Sequence, residues 1–165
     1  MQQDEKWMQH ALALADKAQQ LGEIPVGAVV VLNDRIIGEG YNRSICDHNA
    51  TGHAEMMAIT QAGRAVENYR LVDATLYVTL EPCPMCAGAI VHSRVKRLVY
   101  GASDAKTGAA GSVFNIAAHP QLNHQAEITA GVLAQQCSEQ ISAFFKMRRA
   151  QHKAAKKAAK QQAET

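Results

Sequence analysis

The sequence predicts an α/β domain, a three-layer α/β/α arrangement with a mixed central sheet. The first observation is the order of its segments: helix, hairpin, helix, strand, helix, strand, which leaves helices to cover both faces of one sheet. The second is the run Ala28-Val29-Val30-Val31, apolar without interruption, as in a strand buried on both faces. The third is length. At 165 residues the chain is most simply one domain, able to bury a real core without disulfide staples.

Taken in order, residues 4 to 21 have helical spacing, with Met8, Ala11, Leu12, Ala15 and Ala18 on one face, Asp4 as a cap and Gly22 as a stop. Val26 to Leu32 and Arg35 to Tyr41 form a hairpin across the two-residue turn Asn33-Asp34. Gly38 and Gly40 loosen the second strand towards a loop from Asn42 to Gly52. A helix from His53 to about Ala62 is closed by Gly63, and the strand Ala74 to Leu80 follows. Pro82 and Pro84 mark the turn into a helix that runs to about His92, since proline is tolerated where a first-turn N–H has no partner. Val95 to Gly101 is a strand with Lys96 and Arg97 at a partly solvated position. Residues 105–112, rich in small side chains, are a loop, and Glu127 to Leu133 a short last strand.

Composition narrows the class. A hydrophobic share of 47% is ordinary for a soluble globular protein, and no stretch approaches the length of a membrane span. The polar start, Gln2 to Lys6, is followed by no apolar run of the signal-peptide kind, so no membrane partner is expected. Four cysteines, two of them wanted by a metal, fit a reducing cytoplasm; Cys46 and Cys137 have no motif around them.

The chemistry is concentrated in two motifs. Cys83 and Cys86 lie three apart in a first helical turn, where the positive end of the helix favours thiolates. Alone, such a pair reads equally as a redox couple, a zinc knuckle or two small buried residues. His53, upstream, supplies a third ligand of a kind zinc accepts, and no fourth protein ligand is evident, as in catalytic sites with an open position. Glu55, two residues on, can reach a water at that position and move its protons; an isolated Glu there would otherwise only complement the helix dipole. The paired pattern His-x-Glu and Pro-Cys-x-x-Cys is the signature of the zinc deaminases.

The C-terminus changes character. Residues 146–165 hold seven basic side chains against Glu164, a net +6, while residues 1–145 carry ten basic and fourteen acidic ones, a net −4. A solvated Ala/Lys-rich helix and an arm contacting phosphates both explain this. The organisation expected is a catalytic domain over 1–149 and a basic helical tail over 150–165.

Further stretches add specificity: Pro25-Val26-Gly27-Ala28-Val29, Gly40-Tyr41-Asn42-Arg43, the run from Asp104 to Ser112, Asn123-His124, and Phe144-Phe145-Lys146-Met147-Arg148-Arg149. With the two motifs, over nearly the whole length, the chain resembles the bacterial tRNA-specific adenosine deaminases of the cytidine deaminase superfamily. The resemblance implies a cytidine deaminase-like fold and conversion of adenosine to inosine at the wobble position of an arginine tRNA anticodon. It implies one zinc per subunit on His53, Cys83 and Cys86, Glu55 as proton shuttle, and a cytoplasmic homodimer acting on an anticodon stem-loop. Asn42 matches a residue contacting the flipped adenosine, Asp104 and Lys106 match a loop near the anticodon, and Arg148 and Arg149 belong to a matching basic end. Two departures stand out: Asn49-Ala50-Thr51-Gly52, where relatives often have a proline and an alanine, and Gln125, where they often have arginine. A deaminase of free bases or nucleosides would share the four catalytic residues. A structural-zinc nucleic-acid-binding module is the reading that Glu55 and the missing fourth ligand oppose.

Overall fold

The computed structural model describes residues 2–165. Helix α1 (Gln2–Gln20) leads into the hairpin β1 (Gly27–Leu32) and β2 (Arg35–Tyr41). Helix α2 (Ala54–Val66), strand β3 (Thr75–Leu80), helix α3 (Pro84–His92), strand β4 (Arg97–Ala102), strand β5 (Glu127–Ala130) and helix α4 (Ala134–Ala163) complete the chain. One sheet runs in the order β2-β1-β3-β4-β5. β1 is antiparallel to β2 and β3, whereas β3, β4 and β5 are parallel, so the sheet is mixed.

Strand alternation sorts the core into two layers. Ala28, Val30, Leu76, Val78, Leu98 and Tyr100 face α2 and α3, meeting Ala54, Ala58, Ala62, Ala87 and Ile90. Val29, Val31, Tyr77 and Val99 face the other way, towards Trp7, Met8, Ala11 and Leu12 of α1 and Cys137 of α4. With about 1.5–3 kcal/mol for each fully buried valine or leucine, these layers outweigh any single cap or ion pair.

Several local readings are refined. Asn33 (φ 50°) and Asp34 (φ 61°) are both left-handed, the conformation a two-residue hairpin turn needs. Gly22 (φ 80°) ends α1 as expected, with the Glu23 N–H returning to the Ala18 carbonyl at 3.0 Å. Asp4 is not a cap: α1 begins at Gln2, and the Asp4 carboxylate accepts two hydrogen bonds from Arg97 (2.7 and 2.6 Å) and one from the Tyr77 hydroxyl (2.9 Å). Gly63 lies inside α2, which is closed instead by Glu67 in the left-handed region. Gly38 and Gly40 do not loosen β2. A Cβ on either would sit 2.1–2.2 Å from a backbone carbonyl of α2, so these glycines let the helix lie directly on the strand. The helix α4 passes unbroken through 149/150, and every residue after Arg148 is exposed.

Candidate metal centre and active-site pocket

The two motif-bearing segments converge because both helices begin at the same end of the sheet. His53 is the N-cap residue of α2 and Cys83 that of α3, each in extended backbone geometry and neither capping its own helix. That leaves both side chains available. At α2 the capping role passes to Asn42, whose Oδ1 accepts the Ala54 N–H at 3.0 Å. At α3, Pro84 occupies the first turn, where its missing N–H costs nothing.

The His53 Nδ1 lies 3.6 Å from the Cys83 Sγ and 3.5 Å from the Cys86 Sγ, and all three ligand atoms fall within 4.8 Å of one another. A tetrahedral zinc with ordinary bond lengths separates a sulfur and a nitrogen ligand by about 3.6 Å. The residues therefore fit zinc by chemistry and by spacing. The charges agree. The hydrogen bond from Cys86, helped by one from His53, lowers Cys83 to about 4, while Cys86 is pushed far up by Cys83 and by its burial. The two thiols alone thus share one negative charge, and a divalent cation is what allows both to be thiolates.

Glu55 follows on the first turn of α2, 4% exposed, and burial raises its carboxyl above the usual range. It opens, with His53 and Cys83, onto a cavity of about 530 Å³. Asn42, Asp104 and Lys106 line the same cavity, as do Ser138, Ile141, Ser142 and Phe145 of α4. Apart from Phe145, the α4 wall has no signal in the sequence: α4 starts after Leu133, which is left-handed and provides no capping side chain.

The residues expected at the nucleic acid are placed unequally. The Asp104 carboxylate is used within its own loop, accepting the N–H groups of Lys106 (3.0 Å) and Thr107 (3.2 Å) and the Thr107 hydroxyl (2.9 Å). Lys106 and Arg149 are exposed. Arg148 donates to the Gly22 carbonyl and stacks over the Phe144 ring at 5.1 Å, so it also fastens α4 to the end of α1. Neither arginine lines the cavity. In the segment before His53, Asn49 closes a turn by accepting the Thr51 N–H (3.0 Å) and hydroxyl (2.8 Å). Gln125 donates to the carbonyls of His119 and Leu122 and so serves its own loop.

Two buried carboxylates have roles that the motif reading does not assign, although Glu81 stands within the stretch that carries the cysteines. Glu23, 1% exposed, accepts the N–H groups of Ile45 (3.0 Å) and Cys46 (2.6 Å) and anchors the loop that leads to His53. Glu81, 2% exposed, anchors the loop on the opposite side of the cavity. Apart from the Ser112 hydroxyl on Glu81, their partners are backbone N–H groups, which no sequence pattern records.

Comparison with known proteins agrees with this geometry. Residues 1–102 match the family of the cytidine and deoxycytidylate deaminase zinc-binding region. The tRNA-specific adenosine deaminase of Haemophilus influenzae is 58% identical over 151 residues, 91% of this chain and 87% of that protein. Its Bacillus subtilis counterpart is 48% identical over 157 residues, 95% of this chain and 98% of that protein. A solved structure from a study of tRNA:A34 deaminases superposes with a TM-score of 0.79 at 40% identity, covering 82% of this chain and 98% of the other. A guanine deaminase from Nitrosomonas europaea shares the fold (TM-score 0.71, 23% identity, 85% of this chain and 83% of the other). The chain belongs to the tRNA-specific adenosine deaminases of the cytidine deaminase superfamily.

Proposed function

We propose that the protein converts adenosine to inosine by hydrolysis in tRNA, at the wobble position of an arginine tRNA anticodon. One observation carries the chemistry: three groups suited to zinc lie together, and two of them, His53 and Cys83, open with a buried carboxyl suited to proton transfer onto one cavity. The relatives, named for tRNA, support the substrate. His53, Cys83 and Cys86 hold one zinc per chain. When bound, zinc supplies Lewis-acid activation of a water molecule. Glu55 takes one proton from that water and gives it to the ring nitrogen beside the carbon under attack. It then carries the second proton to the leaving amino group, so adenosine and water become inosine and ammonia. Its raised pKa suits a group that must both accept and return a proton.

The remaining residues bind and orient. The Asn42 carbonyl oxygen is taken by Ala54, which leaves its amide NH₂ to donate to the flipped nucleoside. Lys106 meets a phosphate at the rim, and Asp104 keeps the Lys106 turn in shape. Arg149 contacts the backbone, and Arg148, fixed against Phe144, adds positive charge beside it. A looped single strand suits the cavity, because unstacking one base from a loop costs less than from a duplex. The protein works as a homodimer in the cytoplasm; among the described residues no helix is long and apolar enough to cross a membrane.

The direct test gives purified protein total tRNA, with free adenosine and cytidine in parallel, alongside elemental analysis and light scattering. Inosine in tRNA alone, one zinc per chain and a dimer mass are expected. Deamination of the free nucleosides without inosine in tRNA would replace this reading with a nucleoside deaminase.

A further inference from the structure

We infer that Glu81 is a positioning residue that fixes the RNA-facing wall of the pocket relative to the metal ligands. The inference rests on the proposed function. Glu81 follows the end of β3 and precedes Cys83 by two residues, so its backbone is tied to the metal side. Its carboxylate is tied to the other side. One oxygen accepts the Asp104 N–H (3.1 Å) and the Ser112 hydroxyl, the other the N–H groups of Ala110 (3.0 Å) and Ser112 (3.1 Å). These donors come from both ends of the 103–112 loop. Among the described residues no Lys, Arg or His forms an ion pair with Glu81. Its burial is compensated by loop donors alone, which ties the loop's conformation to this one carboxylate.

A second observation is independent of the hydrogen bonds. A Cβ on Gly108 would lie 2.4 Å from the Glu81 carboxyl carbon and from one of its oxygens, and 2.5 Å from the Asp104 carbonyl of the same loop. Only glycine lets the loop close over the carboxylate. Ser103, at the edge of these anchors, and Ala105, Lys106 and Thr107, between them, are exposed, yet they line the cavity that Cys83 also lines. The wall therefore stands where Glu81 puts it. Glutamine cannot replace it fully. Its NH₂ would best face Asp104 and Ser112, where the serine hydroxyl can turn to accept but the Asp104 N–H is left without a partner.

The test measures kcat and KM for inosine formation in an anticodon stem-loop RNA, zinc per chain, and amide hydrogen exchange of the 103–112 loop. The variants are Glu81→Gln, Glu81→Ala, Gly108→Ala and, as the mildest, Ser112→Ala. Losing one charge-assisted hydrogen bond corresponds to about a tenfold effect or more. Glu81→Gln should raise KM about tenfold with kcat within about threefold, since contacts made equally in ground and transition states act on KM alone. Zinc should stay at the wild-type level and the Asp104, Ala110 and Ser112 amides should exchange faster. Glu81→Ala should give a larger shift than Glu81→Gln, Gly108→Ala, which disturbs both the carboxylate contact and the Asp104 turn, a shift in the same direction, and Ser112→Ala a smaller one. Unchanged KM and loop exchange in both Glu81→Gln and Gly108→Ala would overturn the inference. So would zinc loss with a fall in kcat at constant KM, which would make Glu81 a support for Cys83. If the wild type forms no inosine in tRNA the functional reading fails, and loop exchange still decides the role of Glu81.

Discussion

The two sides of the pocket are built by different physics. On the metal side, His53, Glu55, Cys83 and Cys86 sit at the starts of α2 and α3, helices held by the sheet and by a shared apolar core. On the other side, Ser103–Thr107 are held by hydrogen bonds, chiefly to Glu81 and within the Asp104 turn, beside a face of α4 that is itself seated on the core through Cys137, Ile141 and Phe144. Packed atoms resist displacement more than a hydrogen-bonded loop does. On the proposed function, chemistry lies where the molecule is stiff, and RNA recognition where it can give. Disturbance on the first side should act on metal content and kcat, and on the second on KM.

The sharpest break is Cys86→Ala on the stiff side. It removes a fully buried ligand that ties α3 to α2, so zinc and stability should fall together. Activity should drop by at least about a thousandfold, because a metal supplies several kcal/mol of transition-state stabilisation. Elemental analysis with a turnover assay checks this; full zinc occupancy in the variant would remove Cys86 from the ligand set.

Gly40→Ala tests whether packing alone places the chemistry. The new methyl would meet the Ala54 carbonyl at 2.2 Å, and α2 can only move away, carrying His53 and Glu55 with it. Overpacking of this kind costs about 1–3 kcal/mol, and a shift of about 1 Å at a reacting group can cost a hundredfold in rate. Thermal unfolding and kcat should fall in step, with KM for the RNA little changed.

The Asp4–Arg97 pair lies away from both walls and separates fold stability from the pocket. The Arg97 guanidinium holds the Asp4 carboxyl below its ordinary value against the opposing effect of burial. With the folded pKa below the unfolded one, the contribution is complete above the ordinary carboxylate value of about 4. It is lost as pH falls through the lower folded value. Asp4→Asn should cost about 1.5–3 kcal/mol at neutral pH and progressively less below pH about 4. Denaturant unfolding at several pH values reads this out, and kcat at neutral pH should not change.

The smallest effect is expected at the tail. Truncation after Arg149 removes Lys153, Lys156, Lys157 and Lys160, all exposed, from the part of α4 that packs on nothing. For every lysine–phosphate pair that truncation abolishes, the slope of log affinity against log salt should become shallower by about 0.7–0.9. Stability and kcat at saturating RNA should stay as they are. Equal slopes for the full-length and truncated proteins would make the tail a solvated helix only.

The stiff side was also the legible side. His53, Glu55, Cys83 and Cys86 are marked by short spacings within first helical turns, so local sequence nearly determines their geometry. The hairpin was legible for the same reason, since Asn33 and Asp34 both tolerate positive φ. What sequence hides is distance. Asp4 reads as a cap because its partner Arg97 lies 93 residues away, on a neighbouring element. Gly38 and Gly40 read as loosening residues because the helix they admit is not visible from β2. Glu81 stands in the cysteine stretch without a readable role because its partners, three backbone N–H groups and the Ser112 hydroxyl, belong to a loop more than twenty residues on. Of the α4 face on the cavity only Phe145 falls in a stretch the sequence marks; Ser138, Ile141 and Ser142 carry no mark, since Leu133 gives no helix-start signal and the composition changes only at Lys146.

The central claim is that Glu55 moves protons for a zinc held by three other residues, so the most direct measurement is single-turnover inosine formation by Glu55→Ala, with zinc and tRNA affinity measured on the same sample. The account predicts wild-type zinc content and wild-type tRNA affinity, with the rate reduced by at least about a hundredfold, the lower range for a positioned acid–base group. Appreciable inosine formation by this zinc-loaded variant would contradict it.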